Sequence, residues 1–176
     1  MKLINNRYKI IKKLGEGGMG AVYLAEDKLY NQKVALKTIR KEIARQEIID
    51  RFKVEFEVMT RLKHPNLAMV YDFGFDGETQ NYFITMEYVE GATLRRFETF
   101  ARLEVILDIF VNLLRAIEFI HSRKILHRDI KPENIMIITE KGKRKPENGK
   151  RRPPKEGENS VSGLPSPSSV IILVKV

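Results

Sequence analysis

The chain contains no cysteine in its 176 residues. That excludes thiolate zinc sites, iron–sulfur clusters and cysteine nucleophiles, and it fits a reducing compartment. Glycine is sparse at 11 residues and no heptad runs the length, so collagen-like, coiled-coil and disulfide-scaffold classes are excluded together. Long apolar runs are also lacking. The opening stretch, Met1 to Tyr8, has no signal-peptide core, and the longest apolar run is Val170 to Val174. A spanning helix needs roughly 20 such residues. The expectation is a soluble, cytoplasmic protein with no membrane segment in this chain.

What is present is a globular composition, 43% hydrophobic, 31% charged and 9% aromatic, with a net charge of +9. The length suits one domain, or one domain with a tail, and suffices for a real core. The basic excess hints at an anionic partner such as nucleic acid, phosphate or lipid. Its placement qualifies that hint. Between Glu140 and Glu158 lie eight bases and four acids, so four of the nine excess charges sit in one short stretch.

Four zones follow from composition. Residues 1–90 read as a strand-rich α+β unit: strands over Tyr8–Leu14, Ala21–Glu26 and Lys33–Ile39, then a helix over Gln46–Leu62 stopped by His64-Pro65-Asn66. Two further strands, Leu67–Phe75 and Asn81–Tyr88, flank a turn at Asp76-Gly77-Glu78. Residues 91–138 hold a long helix, with Leu103, Ile106, Leu107, Phe110, Leu113 and Leu114 repeating at three and four. That pattern predicts burial on most sides. A polar stretch, Lys124 to Asn134, and a short strand, Ile135 to Ile138, follow it. Residues 139–169 are rich in Lys, Arg, Pro, Glu, Gly and Ser and are expected to be disordered. Residues 170–176 read as a strand.

Four features carry chemistry. Gly15-Glu16-Gly17-Gly18-Met19-Gly20 is a G-x-G-x-x-G. A strand, not a helix, follows it, which excludes the dinucleotide version, and no Gly-Lys-Ser/Thr closes it, which excludes a Walker loop. A glycine-rich hairpin able to close over phosphates remains, beside a plain hairpin turn. Lys37 shares a strand face with Ala35 and Ile39, an ammonium among apolar neighbours. A lysine snorkelling at a sheet edge is the ordinary reading. Glu55 falls on the stripe Ile48, Phe52, Glu55, Met59, Leu62, where an unpaired carboxylate is costly. Alone it reads as a stripe-edge residue reaching solvent; with Lys37 it suggests one buried ion pair. The octet His127-Arg128-Asp129-Ile130-Lys131-Pro132-Glu133-Asn134 is the strongest signal. It sets a carboxylate base, a cation and a neutral oxygen ligand in one loop, the set that phosphoryl transfer uses.

In order and spacing, Leu14–Ala25, Val34-Ala35-Leu36-Lys37, Glu55 and the octet resemble protein kinases, over residues 8–138. The ending Lys-Pro-Glu-Asn resembles the serine/threonine class, and Gly17 to Tyr23 resembles its bacterial eukaryotic-like members. The resemblance implies an α+β kinase fold: a small antiparallel-sheet lobe with one helix, then the first part of a helical lobe. It implies ATP and Mg2+ as cofactors and a protein Ser/Thr hydroxyl as acceptor. Gly15 to Gly20 would cover the phosphates, with Lys37 on the α- and β-phosphates and paired to Glu55. Leu14, Val22, Ala35 and Met136 would sandwich the adenine, with Met86 as gatekeeper and the backbones of Glu87 and Val89 as hinge contacts. Asp129 would be the catalytic base, Lys131 would neutralise the γ-phosphate, and Asn134 would ligate magnesium. His127 would be architectural, and Arg128 would normally meet a phosphorylated activation loop. His64 and His121 carry no such role and read as structural.

The sequence departs from that family in having no Asp-Phe-Gly after the octet and no Ala-Pro-Glu; its Asp72-Phe73-Gly74 lies ahead of the octet, in the strand Leu67–Phe75. Val170 to Val176 resembles the strand that precedes Asp-Phe-Gly, so residues 139–169 read as an insertion between two paired strands. The expectation is a truncated, poorly active serine/threonine kinase, with an exposed apolar patch on the long helix. One alternative is a non-catalytic fragment that binds ATP or a partner. Another is a nucleic-acid binder acting through Lys141 to Lys155, but that stretch lacks interleaved aromatics and recognition motifs, so no specific nucleic-acid partner is expected.

Overall fold

The fold comes from a computed structural model, which describes residues 3–18, 20–41, 44–96, 103–139 and 167–172, the last six and Thr139 by backbone alone. A six-stranded antiparallel sheet holds the first half. Its strands are β1 (Leu3–Ile4), β2 (Tyr8–Gly17), β3 (Gly20–Asp27), β4 (Gln32–Ile39), β5 (Val70–Asp76) and β6 (Asn81–Glu87), in the order β1-β2-β3-β4-β6-β5. A second sheet sets β7 (Ala92–Thr93), β8 (Ile135–Thr139) and β9 (Pro167–Ile172) side by side. Helix α1 spans Gln46–Thr60 and α2 spans Leu103–Ser122.

The period of two along β4 explains the two-sided core. Val34 and Leu36 face one way and are fully buried with Tyr8, Ala25 and Phe83. Ala35 and Ile39 face the other way and pack with Phe52 and Met59 of α1 and with Ile84 and Met86 of β6. Lys37 shares this second face, which directs it under the sheet. Across the first face, Tyr8 meets Phe83 edge-to-face at 5.5 Å.

Helix α1 begins where the sequence places it and ends two residues sooner. Its buried stripe is Ile49, Phe52 and Met59, with Phe56 against the Phe73 ring at 5.9 Å. The stripe therefore runs through Phe56. Glu55 lies one 100° step aside and is exposed. The expected buried Lys37–Glu55 pair is thus corrected: the two are not an ion pair in this structure. The helical period permitted either stripe, and the aromatic packing of Phe56 settled which one turned inward.

Helix α2 is buried along one edge, less than its periodicity alone predicts, and carries the exposed apolar patch expected on the long helix. Only Ile109, Ala116 and Ile120 are buried, against Leu62 and Leu67 at one end and Ile135 and Ile137 at the other. Leu103, Leu107, Phe110 and Leu114 are more than half exposed. Strands β8 and β9 pair antiparallel, Ile135 opposite Ile172 and Ile137 opposite Val170. Residues 140–166 and 173–176, on which part of the disordered insertion and of the last strand were expected, lie outside the described residues, as does Met19.

Candidate active site

The octet folds into a loop closed on itself. The Asp129 N–H donates to Nδ1 of buried His127 at 3.3 Å, which gives His127 the architectural place expected of it. Pro132–Asn134 forms one short 3₁₀ turn, closed by the Asn134 N–H to the Lys131 carbonyl at 2.9 Å. The Asn134 amide group donates twice, to the Asp129 carbonyl and to Asp129 Oδ2, both at 2.9 Å. Lys131 Nζ lies 3.2 Å from Asp129 Oδ1. Asp129 Oδ2 thus accepts from Asn134 while Oδ1 faces the Lys131 ammonium. Arg128 holds the bend with φ 59°, a left-handed conformation uncommon for a long side chain.

Above this loop lies a cavity of about 530 Å³, a volume usual for small-molecule sites. Leu14, Val22, Ala35 and Met136, the residues that the resemblance assigns to an adenine, wall it, and Lys37, Asp129 and Asn134 reach it. Met86, Glu87 and Val89 line its back edge. The Glu87 N–H donates to the Met69 carbonyl at 2.8 Å, so a hinge contact from Glu87 is restricted to its carbonyl. The pairing of Val22 with Lys37 across β3 and β4 places that ammonium beneath the glycine hairpin.

The glycines divide into two kinds. Gly15 lines the cavity, and around Gly15, Gly17 and Gly18 a side chain would meet open space. Gly20 is different. A Cβ there would lie 1.8 Å from the Thr38 carbonyl oxygen, so only glycine lets β3 approach β4 this closely. Glu16 points away from the cavity's residues and bridges Lys13 and Arg40, which steadies the base of the hairpin.

Not every expected residue converges. Lys131 is not among the cavity's lining, although it pairs with Asp129. Glu55 lines a second cavity of about 630 Å³, beside Arg51, Lys124 and Arg128. Sequence reasoning also missed residues that do line the site: Tyr88, Gly91, Ala92, Thr93, Arg96 and Glu133. The legible signal was Gly91, whose Cβ would sit 2.4 Å from the Ile137 carbonyl oxygen, where the bend before β7 comes close to β8. Strand β7, at two residues, was too short to read.

The chemistry of a magnesium site is only partly supplied. The Asn134 amide N–H groups are spent on Asp129, which turns its carbonyl oxygen outward as one hard-oxygen ligand. Among the described residues no three of His, Asp and Glu gather around a metal position. These residues alone do not complete a magnesium site.

Comparison with known proteins agrees with this geometry. The protein kinase domain family matches residues 8–145. The chain is 41% identical over 140 residues to serine/threonine-protein kinase PrkC of Bacillus subtilis, an alignment covering 77% of this chain and 21% of that protein. It is 37% identical over 146 residues to serine/threonine-protein kinase PknD of Chlamydia muridarum, covering 74% of this chain and 15% of that protein. The chain therefore spans about a fifth or less of the length of these curated relatives. With its octet, hairpin and cavity placed in this way, the chain belongs to the protein kinase family.

Proposed function

We propose that the cavity binds ATP and that the site serves phosphoryl transfer to protein serine or threonine hydroxyls. One observation carries this reading. Lys37, Asp129 and Asn134, from β4 and from the loop after α2, reach the same cavity, which Leu14, Val22, Ala35 and Met136 line with apolar side chains. In this reading Leu14, Val22, Ala35, Met86 and Met136 hold the base, and the Glu87 carbonyl and Val89 backbone meet its polar edge. Lys37 meets the phosphates, and Gly15, Gly17, Gly18 and Gly20, with Glu16 and Met19 between them, cover them.

Asp129 takes the proton of the acceptor hydroxyl as its oxygen bonds to the γ-phosphorus and the bond to the β-bridging oxygen breaks, releasing ADP. Asn134 holds Asp129 in place and offers one oxygen to a cation. Lys131 offsets charge beside Asp129. Magnesium, when bound with ATP, supplies neutralisation of phosphate charge. ATP and the acceptor protein are the partners this reading requires.

A second reading starts from the ligand set: no three of His, Asp and Glu gather among the described residues, and no Asp-Phe-Gly follows the octet in the 176 residues. In it, this stretch of chain by itself binds nucleotide and turns it over poorly. Affinity for an ATP analogue and transfer of labelled phosphate to Ser/Thr peptides, measured on one preparation, separate the two. Catalysis at this site requires Asp129→Asn to cut transfer by about 10²-fold or more while sparing affinity. Transfer that survives Asp129→Asn would contradict the proposed role. Affinity without transfer would establish the second reading.

A further inference from the structure

The lip of the cavity has a charge arrangement that the proposed kinase chemistry does not use. Ala92 and Thr93 pair with Ile137 and Met136, which sets the turn Leu94–Arg96 against the turn Pro132–Asn134. An ion pair between Arg95 and Glu133 joins the two turns. Arg95 holds the Glu133 carboxyl below its ordinary range, so this carboxylate is ionised and already matched. The other acids that line the cavity are matched too. Asp129 has Lys131 at 3.2 Å, and buried Glu87 accepts the Met69 N–H on Oε2 at 3.3 Å. Arg96 lines the same cavity, is exposed, and has no ion pair among the described residues.

Asp129, Glu133 and Arg96 line one cavity, so a peptide whose hydroxyl meets Asp129 has this lip beside it. A basic side chain beside the hydroxyl would meet carboxylates that are already partnered and would have to displace Arg95. An acidic side chain would meet Arg96. We infer that Arg96 is a specificity-determining residue and that the acceptor peptide carries Asp or Glu close to its Ser or Thr. This rests on the reading of Asp129 as the base of a protein kinase. The guanidinium's planar fork suits a carboxylate, and a lysine there would act only as a point charge.

The test uses the 176-residue chain and two labelled peptides, identical except that two Glu or two Lys flank a central Ser. Fluorescence anisotropy is read at low salt, with and without a non-hydrolysable ATP analogue and magnesium. The Glu peptide should bind about fivefold tighter, a margin suited to exposed charge pairs and one that shrinks as salt rises. Arg96→Glu should abolish the preference. Lys28→Glu, the same charge change in the exposed β3–β4 turn, should retain it, which separates the lip from the general attraction of a +9 chain.

Equal binding, tighter binding of the Lys peptide, or no binding of either peptide would overturn the inference. So would a preference that survives Arg96→Glu or vanishes equally in Lys28→Glu. A parallel loss of ATP-analogue affinity in Arg96→Glu would assign Arg96 to the nucleotide and overturn it as well. If the analogue fails to bind the unaltered chain, the proposed function fails, while the nucleotide-free arm still decides the peptide preference.

Discussion

Asn134 shows how one side chain can serve both order and chemistry. Its amide group is the clamp that fixes Asp129 from two directions. Asn134→Ala should remove two of the contacts that hold Asp129 and reduce phosphate transfer by at least about 10-fold, the loss expected when a catalytic group is misplaced. Asn134→Asp keeps the size but replaces both donors by acceptors, so transfer assays should show it no better than Ala. Gly20 makes a different prediction. Gly20→Ala drives a Cβ into the Thr38 carbonyl and must shift β3 or β4, so chemical denaturation should report a loss of about 1–3 kcal/mol. Gly17→Ala meets open space and should cost less than about 1 kcal/mol. Equal losses at the two positions would refute the steric account.

Arg7 repays similar attention. It donates from Nε and Nη2 to the two oxygens of buried Asp27, at 2.9 and 2.7 Å, and from Nη1 to Asp72 at 3.1 Å. This fork holds the Asp27 carboxyl below its usual range. A lysine cannot reproduce it, so Arg7→Lys should cost about 1–3 kcal/mol in denaturant titrations. At this level the sequence was informative wherever chemistry forced a motif. The octet stood out because its residue types answer a chemical need, whereas Leu14, Val22, Ala35 and Met136 were singled out only through the family resemblance. The placement of Glu55 was not legible, because Glu55 and Phe56 both lie near the inward face of α1, and only the position of Phe73 decides between them.

The junction between α1 and α2 turns on His64. Its Nδ1 accepts the Asn66 N–H at 3.1 Å, and its ring lies 4.8 Å from that of Phe119. Burial, with the nearby Arg123 cation, lowers its pKa from the ordinary value of 6.5. The folded state therefore favours neutral His64. Above pH 6.5 it is neutral in both states and its contribution is complete; as pH falls below that, the unfolded chain takes up the proton first and stability is lost. His64→Asn keeps an acceptor for the Asn66 N–H as an Asx turn does and removes the titration. Thermal midpoints between pH 7 and 5 should fall less steeply in that variant, and parallel profiles would contradict the assignment.

Among the elements, long strands and both helices announced themselves through alternation or the 3.6-residue period. Strand β7 did not, since two residues carry no period. The extent of burial of α2 was less legible for a physical reason: a helix whose apolar residues outnumber its polar ones predicts neighbours on most sides, and periodicity does not say which faces the other elements cover. The described fold covers its Ile109, Ala116 and Ile120 edge and leaves Leu107, Phe110 and Leu114 outward. An exposed stripe of this kind favours association. Replacing Leu107 and Leu114 with Gln should reduce concentration-dependent association in sedimentation experiments without lowering the thermal midpoint, because neither residue is buried. A lower midpoint would show that the stripe packs within the molecule.

For the molecule as a whole, net charge was a poorer guide than placement. Four of the nine excess positive charges lie between Glu140 and Glu158, while at the cavity Glu133 and Asp129 are each paired with a cation. No helix among the described residues is long and apolar enough to cross a membrane. The central claim is that the cavity between β2–β3 and the octet takes ATP, and calorimetric titration with a non-hydrolysable ATP analogue tests it most directly. Saturable binding should appear in the unaltered chain, weaken at least about tenfold in Lys37→Met as a phosphate contact is lost, and raise the thermal midpoint as ligand concentration rises. Absence of binding at millimolar analogue, or affinity unchanged by both Lys37→Met and the cavity-filling Ala35→Leu, would contradict the account.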